Sequence, residues 1–309
     1  MRTWKAIRIQ KKGLALFLCL CAAILAVISS TLHAAGQAGR RSHSSNEGAT
    51  VLNIVAVRQD KRSEPITGKQ VSLYDNGVEQ TIKSFSPDPS PARMVLLVDN
   101  SLTIRADVEK LEEATREFAY EIYEGDKLLI VGYDDQAEIV ADWTDDAAGI
   151  EKALKSFRKK GDPHLFDALN AVAEEALRPL TGQKRVVVVI SDGLDRGSKT
   201  KFNEALSKLQ EMDITVYAVQ ASDRTRGAMR RDTPKPVQVI DQLANGTGGL
   251  VFPIDNARVA ANSICDELRK NRYLLAYSAS GIPFGDSRRL LVLGETGIMV
   301  RSKSAQPPN

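Results

Sequence analysis

Hydrophobic and polar residues change their spacing twice along this chain, and the two changes divide it into three parts. From Val51 to Phe85 the apolar positions come in short strand-like runs, "VLNIVAV", "QVSLY" and "VEQTIKSF". Asp75-Asn76-Gly77 separates the second run from the third, and Asn-Gly between two alternating runs predicts a hairpin, since both turn positions favour positive φ. Three prolines in "SPDPSPAR" then close the segment. From Met94 onward the texture becomes strands alternating with amphipathic helices. Met94–Val98 and Val186–Ile190 are unbroken apolar runs, as in strands buried on both faces of a parallel sheet. Val108, Leu111, Thr115, Phe118 and Ile122 recur at three- and four-residue steps, which predicts one apolar helix face.

The strands "KLLIVGY" and "AEIVADW" are joined only by Asp134-Asp135-Gln136. So short a link requires an antiparallel edge strand, because a parallel crossover needs about a dozen residues or more. Further helices are expected at 146–157, from Leu165 through Leu180, and along the stripe Phe202, Leu206, Leu209. The strand "ITVYAV", the helix "VQVIDQLANGTGG" with its glycine stop, the strand "LVFPI" and a helix striped by Ala260, Ile264 and Leu268 complete the alternation. The predicted class is a doubly wound α/β domain with a mostly parallel, six-stranded sheet. Beyond Arg272 the chain returns to strands without helices between them, "YLLAYSA", "RRLLVLG" and "GIMVRS". These are expected to pair with the strands of 51–85 in a small β module that flanks the α/β domain. The boundaries are 51–90 and 273–303 for the β module and 91–272 for the α/β domain, with a linker at 36–50 and a tail at 304–309.

Residues 1–35 form a different kind of segment. Arg2, Lys5, Arg8, Lys11 and Lys12 precede the apolar run Leu14–Ile28, and small residues follow. This is the pattern of an export signal, either cleaved or retained as an N-terminal anchor. The run is slightly shorter than the roughly 18 apolar residues that suffice to span a bilayer. Neither Cys19 nor Cys21 lies in a lipidation motif. The expected location is periplasmic or secreted, or membrane-anchored if the segment stays.

Setting the leader aside changes the charge. Removing its five positive charges from a net +3 leaves −2, so the basic balance belongs to the leader and gives no case for nucleic-acid binding. Of the three cysteines only Cys265 remains outside it, which rules out an internal disulfide in the rest of the chain. Its place in an apolar helical stripe predicts a buried, unreactive thiol.

The chemistry gathers where two buried strands end. Met94–Val98 runs into Asp99-Asn100-Ser101-Leu102-Thr103, and Val186–Ile190 into Ser191-Asp192-Gly193. In a wound sheet, ligands bind outside the carboxyl ends of the strands where the strand order reverses. With order 3-2-1-4-5-6, Asp99 and Asp192 flank that reversal. Two close carboxylates repel unless a cation or shared proton lies between them. With the hydroxyls of Ser101 and Thr103 the donor set is all hard oxygen, which suits Mg²⁺ or Mn²⁺ with a position left for a partner's carboxylate.

The D-x-S-x-T segment, "SDG" and "LFDAL" at 165–169 together resemble the metal-ion-dependent adhesion site of von Willebrand factor type A domains, in order and spacing from 94 to about 256. The flanking strands further resemble type A-related proteins of Acidobacteria. The resemblance implies an adhesion-type, protein-binding module with Asp99, Ser101, Thr103 and Asp192 as metal ligands. One element departs from the pattern: Pro163 stands where such domains carry a threonine in a third loop. Asp162 and His164 are the candidates to supply that loop's contribution instead. Arg224, Arg226, Arg230 and Arg231 follow the fifth strand and are expected either to steer an acidic protein partner or to form a solvated loop.

Catalysis finds little support. His164 is the only histidine beyond residue 43, and no G-x-S-x-G, Walker loop, H-E-x-x-H or G-x-G-x-x-G occurs. A phosphohydrolase of the haloacid dehalogenase kind would use Asp99 as nucleophile but needs a second Asp where Ser101 stands. The alternatives to metal-dependent binding are therefore a metal-independent envelope scaffold and, third, that hydrolase.

Overall fold

A computed structural model describes residues 49–60, 64–222, 234–281 and 287–308. The leader, residues 36–48 of the linker, and Arg224, Arg226, Arg230 and Arg231 lie outside the described residues. Among the described residues no helix is long and apolar enough to cross a membrane.

The first strands are β1 (Thr50–Arg58), β2 (Val71–Asp75), β3 (Val78–Gln80) and β4 (Ile82–Pro87). The predicted hairpin joins β2 to β3, with Asn76 and Gly77 at φ 50° and 80° as a type I′ turn requires. Next come β5 (Ala92–Asp99), α1 (Val108–Glu121), β6 (Lys127–Tyr133), β7 (Ala137–Thr144) and α2 (Ala147–Leu154). Helix α2 starts on the Asp146 side chain, which accepts the Ala148 amide, and stops three residues short of the expected 157. After α3 (Leu165–Ala171) the helix widens into π turns over Val172–Leu177, a feature with no sequence signal that we can identify.

The rest of the α/β unit is β8 (Lys184–Ser191), α4 (Phe202–Glu211), β9 (Thr215–Gln220), α5 (Pro236–Thr247), β10 (Val251–Pro253) and α6 (Ala257–Lys270). Helix α5 ends at Gly248 with φ 88°, the left-handed stop that glycine adopts without steric penalty. The final strands are β11 (Arg272–Tyr277), β12 (Arg288–Gly294), β13 (Ile298–Ser302) and β14 (Ala305–Gln306). Residues 304–309, read as a tail, thus hold a two-residue strand that pairs with β12.

The central sheet runs β10-β9-β8-β5-β6-β7, which is the doubly wound order 3-2-1-4-5-6, with only β7 antiparallel. Its apolar runs are continuous because both faces are covered. Met94, Leu96 and Val98 of β5 point to one core with Leu111 and Phe118 of α1 and Ile264 of α6. Val95 and Leu97 point to the other with Leu169 of α3, Leu209 of α4 and Leu243 of α5. Strand β8 divides in the same way, with Val186, Val188 and Ile190 on one side and Val187 and Val189 on the other.

The flanking strands form two further four-stranded sheets, β13-β1-β11-β4 and β14-β12-β2-β3. They share a core of Leu52, Ile54, Leu73, Leu275, Leu290 and Val292. Strand β12 alternates, so Leu291 and Leu293 lie on the outer face and are exposed.

Cys265 is buried on α6 and burial pushes its thiol up to about 12. Only the thiolate is nucleophilic. A disulfide reagent at pH 8 is therefore expected to leave native Cys265 unmodified and to label it fully in denaturant. Rapid labelling of the native chain would contradict its place in the core.

Candidate functional site

The crevice forms where β5 and β8, parallel neighbours, reach their carboxyl ends. Val98 is opposite Ile190, so Asp99 and Ser191 close the two strands and Asp192 leads out one residue later. On the other side of β5, Asp99 is in register with Tyr133 at the end of β6. Asp99, Ser101, Ser191 and Asp192 are all buried, and Thr103 is partly so.

Hydrogen bonds hold the Asp99 carboxylate from two directions. Its Oδ1 accepts the Ser101 amide at 3.0 Å. Its Oδ2 accepts the Ser191 hydroxyl at 2.9 Å and lies 3.2 Å from the Tyr133 hydroxyl. Tyr133 is also 2.8 Å from Ser191 Oγ, which accepts the Gly193 amide at 3.0 Å. Burial pushes the Asp99 carboxyl up from its ordinary range, opposed by the hydrogen bonds from Ser101, Ser191 and Tyr133. Burial likewise raises the Tyr133 phenol well above its ordinary value, and the negative charges of Asp99 and Asp192 add to this. Both carboxylates therefore act on one buried hydroxyl.

The remaining predicted donors divide into those at this centre and those paired elsewhere. Ser101 Oγ and Thr103 Oγ1 lie 3.1 Å apart, two hydroxyls on one loop. Asp192 Oδ1 accepts the Leu194 amide at 2.9 Å, which shapes the turn after β8. Asp162 is exposed, and its carboxylate is 3.8 Å from Arg196. His164 Nε2 is 4.0 Å from Asp135, and its ring lies over Gly197, where a Cβ would meet Nε2 at 2.7 Å. Pro163 is buried, and its carbonyl accepts the Arg196 amide at 2.7 Å.

The loop around Pro163 is nevertheless fastened to the Asp99 loop. Lys160 donates its amide to the Asn100 carbonyl at 2.8 Å, and Leu102 donates to Gly161 at 3.1 Å. The Asn100 side chain reaches Asp134 and the Arg158 carbonyl, each at 3.1 Å. Asp195 is half-buried and accepts the Phe166 amide at the start of α3 and the Ser198 hydroxyl, at 3.1 and 2.6 Å. Asp167, within "LFDAL", accepts the amides of Lys199 and Thr200 at 2.9 and 2.8 Å. Both acids thus fix the segment after Asp192.

Sequence reasoning missed Tyr133 and Ser191. Ser191 carried a signal, since it directly precedes Asp192, whereas Tyr133 ends an apolar strand and reads as a core residue. Among the described residues no group of three or more His, Cys, Asp or Glu side chains is placed to hold a metal ion. A cation here would rest on two carboxylates and two hydroxyls. Such a hard-oxygen set is chemically matched to Mg²⁺ or Mn²⁺, and a cation would offset the burial of the Asp99 charge.

The oxygen-rich crevice thus lies at the topological switch point of a doubly wound sheet, the place where ligands bind in open α/β sheets. Residues 94–195, about a third of the chain, match the family model for the von Willebrand factor type A domain. Domains of this type are in general protein-interaction modules and not enzymes. No curated protein matches the chain. Among solved structures, a von Willebrand factor type A protein from Catenulispora acidiphila is similar at 11% identity and TM-score 0.48, over 87% of this chain and 75% of that one. An aerotolerance-related membrane protein from Bacteroides fragilis NCTC 9343 is similar at 20% identity and TM-score 0.44, over 58% of this chain and 99% of that one. The protein BatB from Bacteroides thetaiotaomicron is similar at 19% identity and TM-score 0.44, over 58% and 98%.

Proposed function

We propose that the chain is an exported protein-binding module whose crevice holds Mg²⁺ or Mn²⁺ and presents it to an acidic group on a protein partner. Asp99, Ser101, Thr103 and Asp192 hold the ion, which supplies a positive centre with a position for the partner's carboxylate. The observation that carries this reading is the buried Asp99 carboxylate at the strand-order reversal, beside two hydroxyls 3.1 Å apart and with Asp192 directly after the end of the adjoining strand. Pro163 leaves the third loop without a side-chain ligand, and Asp162 and His164 have partners of their own. A site of this kind binds its ion more weakly than one with a complete set, by roughly tenfold to a hundredfold if the loss resembles that of a supporting group. Export rests on the basic and apolar pattern of residues 1–35.

The deciding experiment is thermal unfolding with and without ion. Millimolar Mn²⁺ or Mg²⁺ is expected to raise the melting temperature of the wild-type chain, because a ligand bound only by the native state stabilises it. Asp99→Ala is expected to remove the rise. Identical melting curves for the wild-type chain with ion and with chelator would refute metal-dependent binding. The exposed Leu291 and Leu293 on the outer sheet face favour a second reading, a metal-independent scaffold, and that result would leave it standing.

A further inference from the structure

Tyr133 has no place among the ligands of the proposed function, yet it is fully buried and its hydroxyl ends against the Asp99 carboxylate. Three hydroxyl and carboxyl oxygens meet in a triangle with sides of 2.8, 2.9 and 3.2 Å, formed by Tyr133 OH, Ser191 Oγ and Asp99 Oδ2. Gly193 donates its amide into this triangle through Ser191. The phenol hydroxyl donates to the acceptors at the other two corners, Ser191 Oγ and Asp99 Oδ2.

Resting on the cation reading above, we infer that Tyr133 is a positioning residue: with Ser191 it turns Asp99 Oδ2 inward and leaves Oδ1 as the oxygen directed to the cation. Oδ1 carries only bonds from the Ser101 side of the loop, so it keeps acceptor capacity beside the Ser101 and Thr103 hydroxyls. A carboxylate fixed in this way presents one oxygen in a defined orientation. That matters most where the third loop supplies Pro163 and rigidity must replace a ligand. Tyr133 also joins the two loops, since the Ser191 hydroxyl it contacts receives the amide that follows Asp192.

Calorimetric titration of the full chain with Mn²⁺, and separately with Ca²⁺, tests this. Tyr133→Phe is expected to weaken Mn²⁺ binding about tenfold or more, in line with the loss of a group that orients a ligand. It is also expected to narrow the preference for Mn²⁺ over Ca²⁺, because a loosened carboxylate accommodates the larger ion and its variable geometry. A purely structural role would lower the melting temperature of the ion-free chain and leave that preference unchanged. Ser191→Ala removes the other arm of the triangle and serves if Tyr133→Phe does not fold, with the same expected direction. Unchanged Mn²⁺ affinity and ion preference in the folded variants overturns the role of Tyr133 while the cation reading stands. A wild-type chain that takes up no Mn²⁺ at millimolar ion overturns both.

Discussion

Gly193→Ala is expected to destabilise the chain by about 3–5 kcal/mol, the sum of a left-handed backbone forced on alanine and an overlap with no room to relax. Gly193 has φ 82°, and a Cβ there would stand 2.3 Å from the Pro236 carbonyl oxygen and 2.7 Å from Ile240 Cγ1. Pro236 begins α5, so relief requires moving a whole helix away from the crevice. Gly182→Ala separates the two contributions. Its φ is the same 82°, but its Cβ would meet nothing within 4 Å, so the loss there should stay near 1–2 kcal/mol. Denaturant unfolding of both variants provides the measurement. Equal losses at the two positions would show that the contact with Pro236 is unimportant. The Gly193 variant should also lose any melting-temperature rise with Mn²⁺, because its amide holds the Ser191 hydroxyl against Asp99.

The glycine of "SDG" is therefore explained by close packing, which the motif alone does not reveal. What the motif and the apolar runs do reveal is placement. Strands β5 and β8 are buried on both faces, so every residue from Met94 to Val98 and from Val186 to Ile190 is apolar and the strand ends are sharp. That sharpness puts Asp99 and Ser191-Asp192 at the sheet's rim from the pattern alone. The antiparallel β7 was legible for a different reason, since three residues cannot make a crossover.

Tyr133 was not legible, because it continues the apolar strand "KLLIVGY" and reads as a core aromatic. Only the pairing of Asp99 with Tyr133 across β5 and β6 brings its hydroxyl to the carboxylate. The same limit applies to the partners of Asp162 and His164. Arg196 and Asp135 lie 34 and 29 residues from them, and nothing local in sequence fixes which charges meet. The register of β1 against β11, with Ile54 opposite Tyr273, spans the whole α/β insertion and depends on contacts that sequence pattern does not encode.

A buried charge network between the α/β unit and the flanking strands leads to the other large effect. Glu267 on α6 is buried and accepts the Tyr217 hydroxyl from β9 and the Arg301 guanidinium from β13. Arg301 also reaches the Gly248 carbonyl at 3.3 Å, at the stop of α5. Burial raises the Tyr217 phenol far above its ordinary value, so it remains a donor to the carboxylate. Glu267→Leu would strand the Arg301 cation and the Tyr217 hydroxyl in a site with little access to water. The expected loss is about 3–5 kcal/mol, the range for breaking a buried pair from one side. Glu267→Gln removes the charge but keeps one acceptor oxygen, enough for the Tyr217 hydroxyl or the Arg301 guanidinium, and should lose less. The double variant Glu267→Leu/Arg301→Met removes both charges and leaves only the Tyr217 hydroxyl unpaired, so its stability should return to within about 1–3 kcal/mol of wild type, the cost of one stranded hydroxyl, since a buried pair gains little over an apolar replacement. If the two single losses simply add in the double variant, the energy lies in packing around each side chain and the ion pair does not join the layers.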